Sequence, residues 1–374
     1  MKKIIASTGM VALGVIAFAP ESSGQDSAKS WNLHGALRGF YDSNSTATAE
    51  DAPISEVDSF GFGVEAGVGY NLPLNQGFLG ADYTYGLRWF EGRDTGDTDH
   101  SHKFNLKLDH SFSERYKVTF KDSFVFTDEP TVVDEGSAIT ARSKADVMRN
   151  RANLDFAAQF TPKLGATIGY ENLWYDYDQG ASDVAPGVAS RSQLLDRMEH
   201  SIPLEGRFTL NPETVVLGGY KFSMADYASN TPYVAVFPGG PTLVTPDWRN
   251  SRSHFIYAGV EHNFTPQLNG SLRGGVQLRD YTDVPAGSGL DDSSTNPYVD
   301  GNLSYLYNPG SYVLFGYRYQ STATDLTVLD AQTHLVYLNW THRITARLNA
   351  NLTYQWQLSD FNQGFSGALD STED

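Results

Sequence analysis

The densest group of side chains able to hold a metal or move a proton is Asp94, Asp97, Asp99, His100 and His102. Carboxylates and imidazoles can ligate a divalent ion. An Asp/Gly/Thr-rich stretch fixes no coordination geometry, however, so these groups read as solvated and no metal or other cofactor is expected. Serine, histidine and aspartate are plentiful, which makes chance neighbours common, and the chain has no Gly-x-Ser-x-Gly elbow, P-loop or Gly-x-Gly-x-x-Gly run. His254, His262, His334 and His342 are scattered and read as wall or rim positions. An enzyme is not expected.

A second set of groups is larger and more ordered. Its basic members are Arg38, Arg88, Lys107, Lys117, Lys121, Arg149, Arg151, Arg197, Arg207, Lys221, Arg273, Arg279 and Arg318. Its acidic members are Glu65, Asp82, Asp109, Asp155, Glu171, Glu199, Glu205, Glu261 and Asp300. Each lies in a stretch that alternates with apolar residues, on the polar register. Thirteen basic and nine acidic positions make a mixed, slightly cationic surface. A soluble core could not bury that many charges unpaired. Arg149, Arg151, Arg197 and Arg207 could form a basic ladder along one wall, or Glu199, Glu205 and Asp155 could simply pair with them.

The elements that carry these charges are strands. Leu348, Ala350, Leu352, Tyr354, Trp356 and Leu358 alternate with Asn349, Asn351, Thr353, Gln355, Gln357 and Ser359. Strict period two gives one strand an apolar face and a polar face. Phe60 to Tyr70, Leu79 to Trp89, Ala152 to Phe160 and Val313 to Tyr319 repeat the pattern. These runs exceed the usual strand length of about five or six residues and match the roughly 9–11 needed to cross a bilayer on a tilt. Fifteen strands are expected, from Leu33–Tyr41 to Leu348–Leu358. On this reading the apolar registers meet lipid and the charged registers line a lumen, which at about sixteen strands is wide enough to hold water. The small residues Gly61, Gly63, Gly67, Gly69, Gly80 and Gly86 on the same face are expected to leave that lumen open.

The connections alternate between short and long. Thr161-Pro162, Asn211-Pro212, Thr265-Pro266 and Asn308-Pro309 mark four of the short ones. Proline fixes φ there, while the preceding Thr or Asn caps the turn. Long connections such as Thr127–Ser143 and Ala228–Trp248 carry much of the acidic excess, including Glu91, Asp94, Asp97, Asp99, Asp128, Glu129, Asp134, Glu135, Asp291 and Asp292. Tight turns on one side and long loops on the other are the mark of an outer-membrane barrel. Trp31 and Trp340 fall near short turns, and Trp89, Trp174, Trp248 and Trp356 toward long loops, as two aromatic girdles would require. Thr231–Pro246 is apolar for an external loop. It is expected to fold inward as a constriction or to cap neighbouring loops.

Composition narrows the class further. The 374 residues hold 27 Lys+Arg against 44 Asp+Glu, a net charge of −17, which argues against nucleic acid as a partner. No Cys is present, which excludes disulfides and thiolate chemistry. Thirteen per cent aromatic residues is too many for a disordered chain. Lys2 and Lys3 precede an apolar segment, Ile4 to Ala19, that reads as a secretory signal. Ser22 and Gly24 offer the better small-residue cleavage pair, so residues 1–24 are taken as signal and 25–374 as barrel. Loss of Lys2, Lys3 and Glu21 takes the charge to −18.

The signal, the opening Trp31-Asn32-Leu33, the Gly-rich Gly61-Phe62-Gly63-Val64 and the Thr/Asn-Pro turns resemble the beta-barrel porin 2 family of Gram-negative outer-membrane proteins. The likeness spans nearly the whole mature chain and rests on texture. It implies a general porin in the bacterial outer membrane and brings no catalytic residue. The expected fold is therefore all-β: a transmembrane antiparallel up-and-down β-barrel of about sixteen strands. Fifteen are visible, and Phe361–Asp374 is too polar to be the last, so a C-terminally truncated chain is expected. Passive diffusion of small hydrophilic solutes or ions is the expected function. The alternative is an adhesion or structural barrel with a blocked lumen, whose acidic loops bind a partner. Outer-membrane lipid, the barrel assembly machinery and further copies of the chain as a homo-oligomer are the expected partners.

Overall fold

A computed structural model describes residues 3–4, 11–17, 30–42, 59–91, 97–128, 146–180, 182, 184, 189–237, 239–322, 330–345 and 348–362. Strands are numbered in chain order. β1 (Lys3–Ile4) and β2 (Val11–Ala17) are short and precede β3 (Trp31–Asp42). β4 (Ser59–Leu74), β5 (Gly77–Phe90), β6 (Thr98–Ser111), β7 (Tyr116–Thr127), β8 (Val147–Gln159) and β9 (Leu164–Tyr177) follow. A one-turn helix, α1 (Arg191–Leu195), leads into β10 (Arg197–Asn211) and β11 (Thr214–Tyr227). A small hairpin, β12 (Tyr233–Phe237) with β13 (Gly240–Val244), and a 3₁₀ turn at Pro246–Arg249 come next. The series ends with β14 (Ser251–Asn263), β15 (Leu268–Tyr281), β16 (Ser293–Asn308), β17 (Ser311–Thr322), β18 (Asp330–Thr345) and β19 (Leu348–Asn362).

Fifteen of these are long, and every pairing in the main sheet is antiparallel. Long strands that follow one another in the chain are neighbours in space, with β11 passing directly to β14. The ladders are regular: β4 and β5 stay in register from Gly61↔Phe90 to Leu74↔Gly77. Such an up-and-down sheet curls back on itself. At the seam β2 lies between β3 and β19, with register shifts on both sides, between Leu13 and Ile16 and between Asn349 and Leu352. Among the described residues no full-length ladder zips that seam. β2 falls within the segment expected to be signal peptide, and β19 reaches Asn362, four residues past the expected Leu358.

The two faces are inverted relative to a soluble protein. Phe60, Phe62 and Val64 on β4, Phe104, Leu106 and Leu108 on β6, and Ile202, Leu204 and Phe208 on β10 are exposed. Gln277 is only 1% exposed, Thr333 2% and Arg149 6%. Exposed apolar area on this scale needs an apolar surrounding.

The turns work as the sequence predicts. Thr161 Oγ1 accepts the backbone N–H groups of Lys163 and Leu164 at 3.2 and 3.0 Å. Thr265 Oγ1 does the same for Gln267 and Leu268 at 3.2 and 3.0 Å. Gly310, after Asn308-Pro309, has φ +77, which its lack of a Cβ permits.

Two expectations are corrected. The inner glycines do not leave empty space, because side chains from neighbouring strands lie across them. A Cβ on Gly67 would stand 2.2 Å from His34 Nε2, and one on Gly69 2.1 Å from Asn32 Oδ1. Trp248 belongs to no girdle: it sits in the 3₁₀ turn, buried, with Nε1 donating to Tyr233 Oη at 2.8 Å. Its place in a loop broke the alternation on which the girdle assignment depended.

Candidate functional site: the charged interior wall

The most connected part of the wall spans β10, β11, β14 and β15. Arg207 bonds Glu205 at 3.3 Å and reaches across β11 to Glu261. Arg273 meets Glu261 at 3.2 Å and Glu205 at 3.9 Å. β11 can be crossed because its inward residues here are uncharged, and one is Gly219, in register with both Glu205 and Tyr257. The Tyr257 ring lies over Gly219, where a Cβ would come within 2.1 Å of Cζ. Its hydroxyl can therefore donate to Glu205 at 3.1 Å. Tyr337 lies over Gly316 in the same way. Both tyrosines thus lie along the wall.

Around this network the remaining charges pair or stack. Arg318 donates to Asp300 at 2.7 Å from the facing register position. Arg197 donates to Glu199 at 2.7 Å, and its guanidinium sits 4.1 Å from the Tyr175 ring centroid. Arg151 lies 3.9 Å from Glu171. Lys221 Nζ stands 4.2 Å over Phe255, and Arg279 donates to Ser253 at 3.0 Å. Most of these residues line one cavity of about 620 Å³. The basic-ladder reading therefore resolves into mutual pairing: Arg151, Arg197 and Arg207 each have an acidic neighbour, while Arg149 is buried on β8.

The β3–β8 side is sparser. Arg38 and Glu65 pair at 2.9 Å. Asp109 receives Lys107 at 3.1 Å, Lys117 at 3.6 Å and the Thr119 hydroxyl at 2.8 Å. Asp82 accepts from Thr84 at 3.1 Å, with His34 Nε2 at 3.7 Å. Arg88 stacks 5.6 Å from the Phe40 ring centroid. Lys121 joins Asp82, Lys107 and Arg151 around a second cavity of about 400 Å³, and Asp155 faces Thr119 in register. β18 and β19 differ from both regions. Their inward positions from Thr333 to Thr341 and from Asn349 to Gln357 are amides, hydroxyls, Leu335 and Tyr337, without a charge.

All twenty-two positions expected to face the interior fall on the register opposite the exposed apolar residues. His34 and Lys103 share that register and were missed, although the parity of Arg38 and Lys107 marks them. Arg249 was also missed. It is buried against Tyr227, its guanidinium 4.7 Å from the ring centroid, and no periodicity signals a loop residue.

The described members of the Asp94–His102 group do not converge. Asp99 faces Arg88 on the inner side and is buried, which also corrects its placement in an outer loop. His100 and His102 point outward, hydrogen-bonded to Tyr85 and Tyr83 at 2.8 and 2.9 Å. Asp94 lies outside the described residues, and among those described no cluster suits a metal. Of the other acidic loop positions, Glu129, Asp134 and Glu135 also lie outside them.

The mouth at the long-loop end carries a cap. Inward residues Val125, Val147, Leu173, Tyr175 and Tyr177 pack against Leu195 of α1. Tyr233, Ala235, Phe237 and Val244 of the hairpin pack with Trp248 and the inward-facing Tyr281. Leu194 touches both clusters, and its carbonyl accepts from Arg249. Ser190 starts α1 with a capping box to Gln193. Asp196, which ends it, accepts from Tyr177 N–H at 2.8 Å, yet burial pushes its carboxyl above the usual range. Burial likewise raises the Tyr233 phenol, against the pull of nearby Arg249.

No family model and no curated protein matches the chain. Solved structures that resemble it include the siderophore receptor PiuA from Acinetobacter baumannii, at 10% identity and a TM-score of 0.42 over 98% of this chain and 66% of that one. This chain thus spans just under two thirds of that receptor. The NanC porin is similar at 10% identity and a TM-score of 0.31, over 73% of this chain and 98% of that one. A Pseudomonas aeruginosa FadL homologue is similar at 10% identity and a TM-score of 0.34, over 94% and 88%. At these values the likeness does not extend to family or activity.

Proposed function

We propose that the chain is a channel of the bacterial outer membrane, passing small hydrophilic solutes or ions by passive diffusion through a lumen of mixed charge. One observation carries this reading. The long strands expose Phe, Leu, Ile and Val on one register and turn Arg, Lys, Asp and Glu to a cavity on the other. Lipid satisfies the first face and water the second. Selectivity then depends on charges at the narrowest section rather than on the net −17 of the whole chain. Outer-membrane lipid and, during insertion, the barrel assembly machinery are the partners this reading requires. Liposome swelling tests it: vesicles holding the folded protein should swell in small sugars at rates that fall with solute size. A folded, membrane-inserted and impermeable protein would instead support the blocked, partner-binding barrel, which the cap over the mouth favours.

A further inference from the structure

Eight histidines lie on the outward register, and their placement is not scattered. His102 and His110 on β6, His254 and His262 on β14, and His334 and His342 on β18 are each eight residues apart. Eight steps of about 3.4 Å span about 27 Å along a strand, or about 21 Å across a membrane at a tilt near 40°. That is close to the ~25 Å apolar band of an outer-membrane barrel. The outward residues between the pairs are apolar throughout: Phe104, Leu106 and Leu108; Ile256, Ala258 and Val260; Val336, Leu338 and Trp340. His100 and His200 join the row nearer the long loops.

Seven of the eight rings are also held through Nδ1. Tyr85, Tyr83, Tyr170, Tyr220 and Tyr317 place their hydroxyls 2.7–2.9 Å from Nδ1 of His100, His102, His200, His254 and His334. Where the register is explicit the step is constant. Tyr85 faces His102, Tyr83 faces Phe104, Tyr220 faces Ile256 and Tyr317 faces Val336, and each bonds the histidine two residues earlier. This is the diagonal cross-strand contact within reach of a long side chain. In the other row Tyr307 and Thr214 bond Nδ1 of His342 and His262, both at 2.9 Å. A tyrosine that donates to Nδ1 leaves the proton on Nε2. Nε2 is then a fixed donor at the edge of the apolar band.

We propose that these two rows are lipid-binding belts, in which Nε2–H donates to the phosphate oxygens of phospholipid headgroups. Phosphate is the strongest acceptor at that depth, and a donor on a flat, half-apolar ring suits the boundary between acyl chains and water. The inference rests on the membrane reading above.

The test uses the full folded protein in vesicles of uncharged, phosphate-free digalactosyldiacylglycerol, with or without phosphatidylglycerol of matched chains. The thermal unfolding midpoint should rise when phosphatidylglycerol is present. The variant His200→Phe/His254→Phe/His334→Phe keeps the rings and should lessen that rise while keeping the wild-type midpoint in galactolipid. His34→Phe, inside the lumen, should retain the rise. Inorganic phosphate added to galactolipid vesicles should not reproduce it, and a full rise from free phosphate would overturn lipid as the ligand. An undiminished rise in the triple variant, or no rise in the wild type, overturns the belts alone. Failure to insert into either vesicle overturns the membrane reading and the belts together.

Discussion

Glu261 is shared by Arg207 and Arg273, so its charge holds two cations at once. Glu261→Gln should leave both guanidiniums partly uncompensated. The reversal potential in a salt gradient should shift toward anions, and stability should fall by about 1 kcal/mol, the upper range for a partly solvated pair. Gly316→Ala acts by shape. Its methyl would meet the Tyr337 ring at 2.1 Å and lift a flexible side chain off the wall, so single-channel conductance should drop. Asp196 tests the cap through pH. Folding raises its pKa, so the protonated form favours the fold. That contribution is full below the ordinary carboxyl value of about 4 and fades as pH climbs past the raised folded value. Asp196→Asn should therefore abolish this acid-side gain in protease resistance of the α1 segment. The charged wall was legible because parity alone assigns its members to one face. Which charges pair was not, since Arg207 reaches Glu261 across β11 only where Gly219 and its neighbours leave the path clear.

At the scale of elements, the strands and turns were readable from local chemistry. Alternation over eleven residues in Leu348–Leu358 and the Thr-Pro turns each specify their own geometry. The hairpin at the mouth was not readable in this way. Tyr233 to Val236 is apolar on both registers, although Tyr233 and Ala235 are buried in the cap while Val234 is exposed, and only the loop's composition hinted that it turns inward. Trp248 anchors that packing. Trp248→Ala should cost the cap about 3–5 kcal/mol and expose the hairpin to protease, while the long strands remain protected from hydrogen exchange. Replacing Tyr233–Val244 by a short flexible linker should raise conductance if the cap narrows the mouth. An unchanged value would assign it to covering the loops alone.

The whole molecule is arranged around unlike neighbours. β3–β11 and β14–β17 carry fixed charges of both signs along much of their inner surface, whereas the central inner positions of β18 and β19 present amides, hydroxyls and Leu335. Period two made this visible position by position, but the sequence does not say which strands stand opposite each other; closure of the sheet decides that. On the proposed channel reading, a solute would meet a lopsided bore. A solute carrying a dipole would be turned so that its poles read the ionic flank, while its sugar-like or amide-like side slides along the bland one. Orientation would then be imposed during transit, and two isomers of equal size and net charge would cross at different speeds.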